Sequence, residues 1–232
     1  MTSAKTQQTT DMNIEERISD LNARYHNLSP EERVVKLYQD FASEEVMLTS
    51  SFATNSAFML HLFSLHAPHQ LIHFIDTGFH FPETLEYKNK LTELYQLKVE
   101  DVHPDEQQNK YSANEALWNS DPDLCCSINK VAPLHNIKTN YTVWVSGLIR
   151  WQTEHRANLD IFEYRSGMIK FYPLLDVSKE QRDAYIRDHK LPFHPLVAKG
   201  YSSVGCTHCT KPGDDRCGRW VDTEKLECGL HL

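Results

Sequence analysis

A doubly wound α/β protein on a mostly parallel sheet is predicted by three features. A strand, polar turn and helix pattern runs through residues 46–65, a second copy follows at 71–95, and further strand-like runs occur at 97–102, 142–146 and 169–174. Ligands of such sheets bind outside the carboxyl ends of the strands. The turns after Leu48, Ile75 and Ser146 are therefore where chemistry is expected.

Taken in order, residues 1–10 read as disordered, and Ile14, Ile18, Leu21 and Tyr25 then mark one face of an amphipathic helix. Ser29-Pro30-Glu31-Glu32 starts a second helix, with a capping hydroxyl, proline in the first turn and acids at the positive dipole end, and this helix runs to about Phe41. Val46-Met47-Leu48 is a buried strand, followed by a Thr49-Ser50-Ser51 turn and a helix over 56–65. Leu71-Ile72-His73-Phe74-Ile75 repeats the strand, Asp76-Thr77-Gly78 the turn and residues 82–95 the helix. Helical stretches are expected between the later strands, and the Ser178-x-x-Gln181 box opens another helix over 178–189. The organisation predicted is an N-terminal helical segment (1–43), a nucleotide-binding α/β domain (44–200) and a C-terminal segment (201–232). Five of the eight glycines fall between Gly200 and Gly229, so that last segment is expected to be mobile.

Composition narrows the function. The chain has 232 residues, 40% of them hydrophobic, and no run of eighteen apolar residues, which suits a soluble globular protein with a sizeable core and no membrane span. Twenty-four Lys and Arg against 32 Asp and Glu give a net charge of −8, which disfavours nucleic acid as a partner and requires any anion to be held by a local basic pocket. The N-terminus shows no apolar segment of a secretory signal, so the expected location is the cytoplasm. In that reducing compartment six cysteines point to metal or redox chemistry rather than structural disulfides.

Five motifs carry chemistry. The hydroxyl-rich 49–56 turn, with Ser50, Ser51, Thr54 and Ser56, forms an anion cradle at a helix N-terminus or, more plainly, a well-capped helix; it is no Walker loop. Asp76, after the next strand, is placed to reach a sugar or shape the pocket floor. Arg150, Gln152 and Arg156 follow the 142–146 strand, and guanidinium forks suit phosphate or sulfate, although solvated surface arginines are the ordinary alternative. Cys125-Cys126 and Cys206-x-x-Cys209 supply four sulfurs, enough for a 4Fe-4S cluster or a structural zinc; adjacent cysteines favour the cluster, and a vicinal disulfide beside a separate redox pair needs two coincidences. Cys228, in Glu227-Cys228-Gly229-Leu230-His231, reads as a delivered thiol rather than an inert terminus, with His231 able to hold a proton and Arg216 and Arg219 able to lower the thiol pKa. Cys217 has no obvious partner.

Together these residues resemble the assimilatory adenylylsulfate (APS) and phosphoadenylylsulfate (PAPS) reductases, particularly the iron–sulfur branch that uses APS. The likeness spans about residues 44–232 and rests on the 50–56 turn, Asp76-Thr77-Gly78 with Pro82-Glu83-Thr84, Cys125-Cys126 with Lys130, Cys206-x-x-Cys209, the 213–220 run and the Glu227–His231 motif. The resemblance implies an adenine nucleotide alpha hydrolase-like fold and thioredoxin-dependent reduction of APS to sulfite and AMP. The phosphosulfate would be held by the 50–56 turn, Lys130, Arg150, Arg216 and Arg219, with Gln152 nearby. Cys228 would carry an S-sulfonate, and Cys125, Cys126, Cys206 and Cys209 would ligate the 4Fe-4S cluster. The same resemblance keeps PAPS as the alternative substrate and leaves a homo-oligomer open. ATP pyrophosphatases share the sheet, but their Ser-Gly-Gly-x-Asp-Ser loop is replaced here by Ser51-Phe52-Ala53-Thr54-Asn55-Ser56.

Overall fold

Six strands form one sheet in the order β3-β2-β1-β4-β6-β5. The computed structural model describes residues 13–221, 223, 225 and 227–230; the disorder expected for residues 1–10 and the role expected of His231 lie outside them. In chain order the elements are α1 (Ile14–Tyr25), α2 (Pro30–Asp40), β1 (Val46–Thr49), α3 (Ser56–His66), β2 (Leu71–Ile75), α4 (Pro82–Leu94), β3 (Lys98–Val102) and α5 (Glu106–Asn114). There follow α6 (Leu117–Ser120), α7 (Pro122–Cys126), α8 (Ala132–Lys138), β4 (Val143–Val145), α9 (Glu154–Ala157), β5 (Phe162–Arg165), β6 (Met168–Phe171) and α10 (Lys179–Asp188).

The central strands are apolar runs because both of their faces are covered: Val46, Met47, Leu48, Val143 and Val145 are all fully buried. β1 pairs in parallel with β2 on one side and β4 on the other. The chain thus leaves β1 in one direction and returns on the opposite side, which opens a crevice at the carboxyl ends of β1 and β4. The edges are charged instead. β3, Lys-Val-Glu-Asp-Val, pairs only with β2, and β5, Phe-Glu-Tyr-Arg, pairs only with β6.

The stretch between β4 and β6 departs from the helical expectation. It holds one 3-10 turn at Arg150–Gln152, the single turn of α9, and then β5, antiparallel to β6. Ser166 (φ 55°) and Gly167 (φ 79°) are both left-handed, the conformation of a two-residue hairpin turn whose twist matches the flanking strands. β6 ends at Phe171 rather than Leu174, two residues before Pro173, which has no N–H for a ladder.

α1 and α2 pack into the same core as the sheet. Leu21, Tyr25, Val34 and Leu37 are buried, and Tyr25 meets Phe162 edge-on at 4.7 Å. Arg33, 1% exposed, donates to both carboxylate oxygens of Asp176 (2.5 and 2.7 Å) and to the Pro173 carbonyl, joining α2 to the loop after β6.

The described part of 201–230 is packed, and its glycines serve close approach. A Cβ at Gly218 would collide with the Lys211 carbonyl oxygen, and one at Gly205 with the Arg219 guanidinium. One buried histidine sets an acid limit on this scaffold. His194 Nδ1 accepts from the Leu196 amide (3.2 Å), so Nε2–H donates to Thr84 Oγ1 (3.1 Å), and burial lowers its pKa to about 4, with Glu83 opposing. The unfolded chain binds the extra proton near pH 6.5, so this contribution is complete above that value and is lost as pH falls toward 4. Denaturant midpoints at pH 7 and pH 5 should therefore differ more for the wild type than for His194→Asn, by on the order of 1–2 kcal/mol.

Candidate active site

The crevice holds a cavity of about 210 Å³ walled by the 49–56 turn, Lys130, the 146–148 turn, Gln152, Arg156, residues 203–206, Arg216, Arg219, Glu227 and Cys228. Its floor is built by β1 and the turn that follows. Thr49 Oγ1 accepts from Trp144 Nε1 (2.8 Å), and Ser50 Oγ accepts from the Phe52 amide (3.2 Å). Phe52 adopts φ 48° and drives its ring into the core against Phe74, 5.6 Å away. Ser51, Thr54 and Ser56 line the cavity, and Thr54 Oγ1 donates to the Ser202 carbonyl (2.8 Å), tying the turn to the C-terminal segment. The Asn55 side chain does not cap α3; its Oδ1 accepts instead from Arg182 Nη1 (2.9 Å). This eleven-residue helix thus starts at the cavity wall without a side-chain cap, its Ser56 amide donating to the Ala53 carbonyl (3.0 Å), and a helix N-terminus so placed accommodates an anion.

Two distant segments bring the cysteines together. α7, a π-helical turn at Ser127–Val131 and α8 run on from one another. Pro133 lacks the N–H that residue 129 would need for an i→i+4 bond, and the Ala132 amide reaches back to the Ser127 carbonyl instead. Cys125 and Cys126 are buried on this run. Cys206 arrives with the C-terminal segment, which bridges to the loop after β2: the Thr207 amide donates to the Phe79 carbonyl (2.8 Å), and Thr77 Oγ1 lies 3.4 Å from Cys206 Sγ. His208 stacks on Trp118 at 3.7 Å, seating the turn that bears Cys209. All six cysteines are free thiols, so Cys125 and Cys126 form no vicinal disulfide.

The thiols and Lys130 share one electrostatic environment. Burial raises the Cys126 pKa, with Lys130 and Lys225 opposing; burial, then Cys206, pushes the Cys209 thiol up to about 11. Burial would lower the Lys130 pKa, but negative charge on Cys206, Cys126 and Cys228 holds it above its ordinary value. Sequence reasoning missed the polar layer behind these groups. Asn129 Nδ2 donates to Ser112 Oγ (2.8 Å) and the Cys125 carbonyl (2.9 Å), while Asn109 Nδ2 donates to Asn129 Oδ1 (2.7 Å) and the Thr77 carbonyl (2.9 Å). A lone asparagine carries no signal of such a role; Pro133 three residues after Lys130 was the readable hint. His80 was missed too: it lines the cavity, donates from Nε2 to the Ile75 carbonyl (3.0 Å), and has its pKa lowered chiefly by burial.

The basic wall differs from the sequence expectation in two residues. Arg150 turns away: its Nη2 donates to the Leu159 carbonyl (2.9 Å) behind the 3-10 turn, and its charge lies near Asp176. Arg156, six residues on, occupies the cavity wall, with Gln152 Oε1 accepting from it. Asp76 lies outside the cavity; its Oδ1 accepts from the Gly78 amide (2.9 Å), and it stands beside Asp101 and His103. Arg219 remains in the wall, bonded to the Val204 carbonyl (3.2 Å) with its guanidinium 4.4 Å from the ring centre of buried Trp220. Cys228 is half-buried on the cavity wall. The crevice thus gathers the Cys228 and Cys206 thiols, an N-terminal helix turn without a side-chain cap, and Lys130, Arg156, Arg216 and Arg219 on one wall.

Comparison with known proteins identifies relatives of the chain. Residues 45–212 match the phosphoadenosine phosphosulfate reductase domain. A Chelativorans sp. protein named adenosine 5'-phosphosulfate reductase is 39% identical, with 92% of this chain and 90% of the relative covered. One of the same name from Halalkalibacterium halodurans is 34% identical over 95% and 99%. A Gloeobacter violaceus relative named phosphoadenosine 5'-phosphosulfate reductase is 35% identical over 92% and 93%. Among solved structures, the phosphate complex of phosphoadenylyl-sulfate reductase from Candida auris superposes with a TM-score of 0.71 at 27% identity, covering 86% of this chain and 98% of that one. The Campylobacter jejuni NAD synthetase, at TM-score 0.51 and 12% identity over 79% and 77%, shares the sheet architecture. The matched length, the relatives' identity and the crevice-facing cysteine together place the chain in the phosphoadenosine phosphosulfate reductase family.

Proposed function

We propose that this protein reduces adenylylsulfate to sulfite and AMP, using a dithiol protein of the thioredoxin type as reductant. The observation that carries this reading is Cys228 on the wall of an anion-compatible crevice at the strand ends. Two of the relatives described above are named for the same nucleotide.

The chemistry balances around that thiol. The Cys228 thiolate attacks the sulfur of the phosphosulfate; an S–S bond forms, the S–O bond breaks, and AMP leaves with the electron pair. One thiolate of the reductant then attacks the Cys228 sulfur and expels sulfite, and its second thiol closes a disulfide, returning Cys228 as a thiol. The two electrons that convert sulfate-level to sulfite-level sulfur come from that dithiol. Lys130, Arg216 and Arg219 counter the charge of the phosphosulfate, the amides and hydroxyls of the 50–56 turn orient it, and Arg156 completes the wall. For His231 we keep the proposal of a proton-holding partner to the thiol.

Cys125, Cys126, Cys206 and Cys209 fit a 4Fe-4S cluster. A tetrahedral zinc with bonds of about 2.3 Å sets its sulfurs about 3.8 Å apart, whereas among the described residues no three cysteine sulfurs lie within 4.8 Å of one another. The sulfurs also have polar neighbours suited to a cluster: Ser112 Oγ and Asn129 Nδ2, each 3.6 Å from Cys125 Sγ, and Thr77 Oγ1 at Cys206. When bound, the cluster would supply a fixed charge beside Lys130 and a cross-link between the 122–138 helical run and the C-terminal segment.

No helix among the described residues is long and apolar enough to cross a membrane, and four thiols kept reduced for iron suit the cytoplasm. The Gloeobacter relative's name supports a second reading, PAPS as substrate. Steady-state sulfite release with each nucleotide decides between them. A kcat/KM for APS at least about tenfold higher is expected, ~1.4 kcal/mol of discrimination; preference for the 3'-phosphorylated nucleotide would overturn the assignment.

A further inference from the structure

Glu227 directly precedes Cys228 and is 5% exposed. Its Oε2 accepts from Arg156 Nη2 (3.0 Å) and Arg216 Nη2 (3.1 Å), while Oε1 accepts from Thr153 Oγ1 (3.3 Å) and lies 2.9 Å from Arg156 Nε. Arg156 is itself 5% exposed and is held from its other side by Gln152. The two guanidiniums belong to different parts of the fold, Arg156 to α9 beyond β4 and Arg216 to the C-terminal segment. One carboxylate therefore fastens the tail to both.

Two features make this more than a packing contact. Burying three ionised groups is costly unless each is paired, and removing one partner leaves uncompensated charge, so the arrangement holds in one geometry and fails sharply outside it. The neighbouring Cα is only about 3.8 Å away, so fixing Glu227 confines the Cys228 sulfur to a short arc. That arc lies on the wall of the cavity that Lys130 and Arg219 also line.

We propose that Glu227 is the positioning residue of the nucleophile: its ion pairs with Arg156 and Arg216 clasp the tail so that Cys228 is held in the crevice, at the place where a phosphosulfate would lie. This rests on the reductase reading above for the identity of the reaction, but not for the clasp itself. Arg156 and Arg216 then act in two ways, binding the tail through Glu227 and presenting positive charge to the anion beside it. An unclasped tail leaves the thiol in solvent, chemically intact and misplaced.

Two variants test the clasp. Glu227→Gln keeps the shape and removes the charge; Glu227→Asp keeps the charge and shortens the reach by one methylene. The first reading is the rate of iodoacetamide alkylation at Cys228, without nucleotide, followed by peptide mass spectrometry. The expected order is Gln above Asp above wild type, with Gln about tenfold faster than wild type. The second is single-turnover S-sulfonate formation at saturating adenylylsulfate, expected to slow by about 10–100-fold in Glu227→Gln, with partial recovery in Glu227→Asp and AMP affinity within about threefold of wild type. That split between rate and affinity separates positioning from a loss of the binding site. Wild-type alkylation and wild-type sulfonation rates in Glu227→Gln would overturn the proposal. So would loss of cooperative unfolding in both variants, since a clasp on the tail leaves the sheet core standing. If the wild type itself forms no S-sulfonate, the reductase reading fails, while the alkylation rates still decide the clasp.

Discussion

A Cys228→Ser protein binds adenylylsulfate but releases no sulfite, a loss on the order of 10³-fold or more, because a hydroxyl in this setting is a far poorer nucleophile toward sulfur than a thiolate. The geometry makes the prediction specific. Cys228 is the half-buried cysteine that shares the cavity wall with Lys130, Arg216 and Arg219, while Cys217 is exposed and lies off that wall. Cys217→Ser should accordingly keep wild-type turnover. The pair of variants, assayed for sulfite release and for AMP affinity, distinguishes one delivered thiol from a general dependence on reduced cysteines. Substantial sulfite release by Cys228→Ser would remove the nucleophile from the account.

The second large effect concerns the four clustered thiols. Cys126→Ser and Cys206→Ser each remove one of four sulfurs drawn from segments about eighty residues apart in sequence. Each should lose most of the iron and of the absorbance near roughly 400 nm expected of thiolate-bound iron. Each should also lower activity by an order of magnitude or more, because the C-terminal segment that presents Cys228 is held partly through Cys206. Iron content, the visible spectrum and turnover are measured on the same preparation. A variant that loses its iron yet keeps full activity would contradict the proposed role of these residues.

Much of this architecture was legible because both-face burial leaves a plain mark. Val46-Met47-Leu48 and the 71–75 strand read as buried strands, and the hydroxyl turn after the first of them read as the link to a helix, as β1 and α3 show. What escaped was information about direction rather than identity. Arg150 and Arg156 are equally basic in sequence, but the 3-10 turn at Arg150–Gln152 sends one guanidinium to the Leu159 carbonyl and the other into the crevice. Asp76 was placed correctly after β2, yet its carboxylate is spent on the Gly78 amide. The β5–β6 hairpin was hidden by the short strand length, although Ser166-Gly167 offered the turn signal. The C-terminal glycines were read as looseness, and close approach explains them at Gly205 and Gly218. Glu227 stands out in the sequence only as part of a motif, because no sequence pattern announces that a carboxylate will be met by arginines 11 and 71 residues away.

The most direct test is mass spectrometry of freshly reduced, iron-loaded protein mixed with adenylylsulfate alone, no reductant being added. The account requires a gain of about 80 Da, one SO3 unit, on the peptide containing Cys228, and its disappearance with release of sulfite once reduced thioredoxin is supplied. An unmodified Cys228 peptide after incubation with both adenylylsulfate and its 3'-phosphorylated form, or an adduct on a different cysteine, would contradict it.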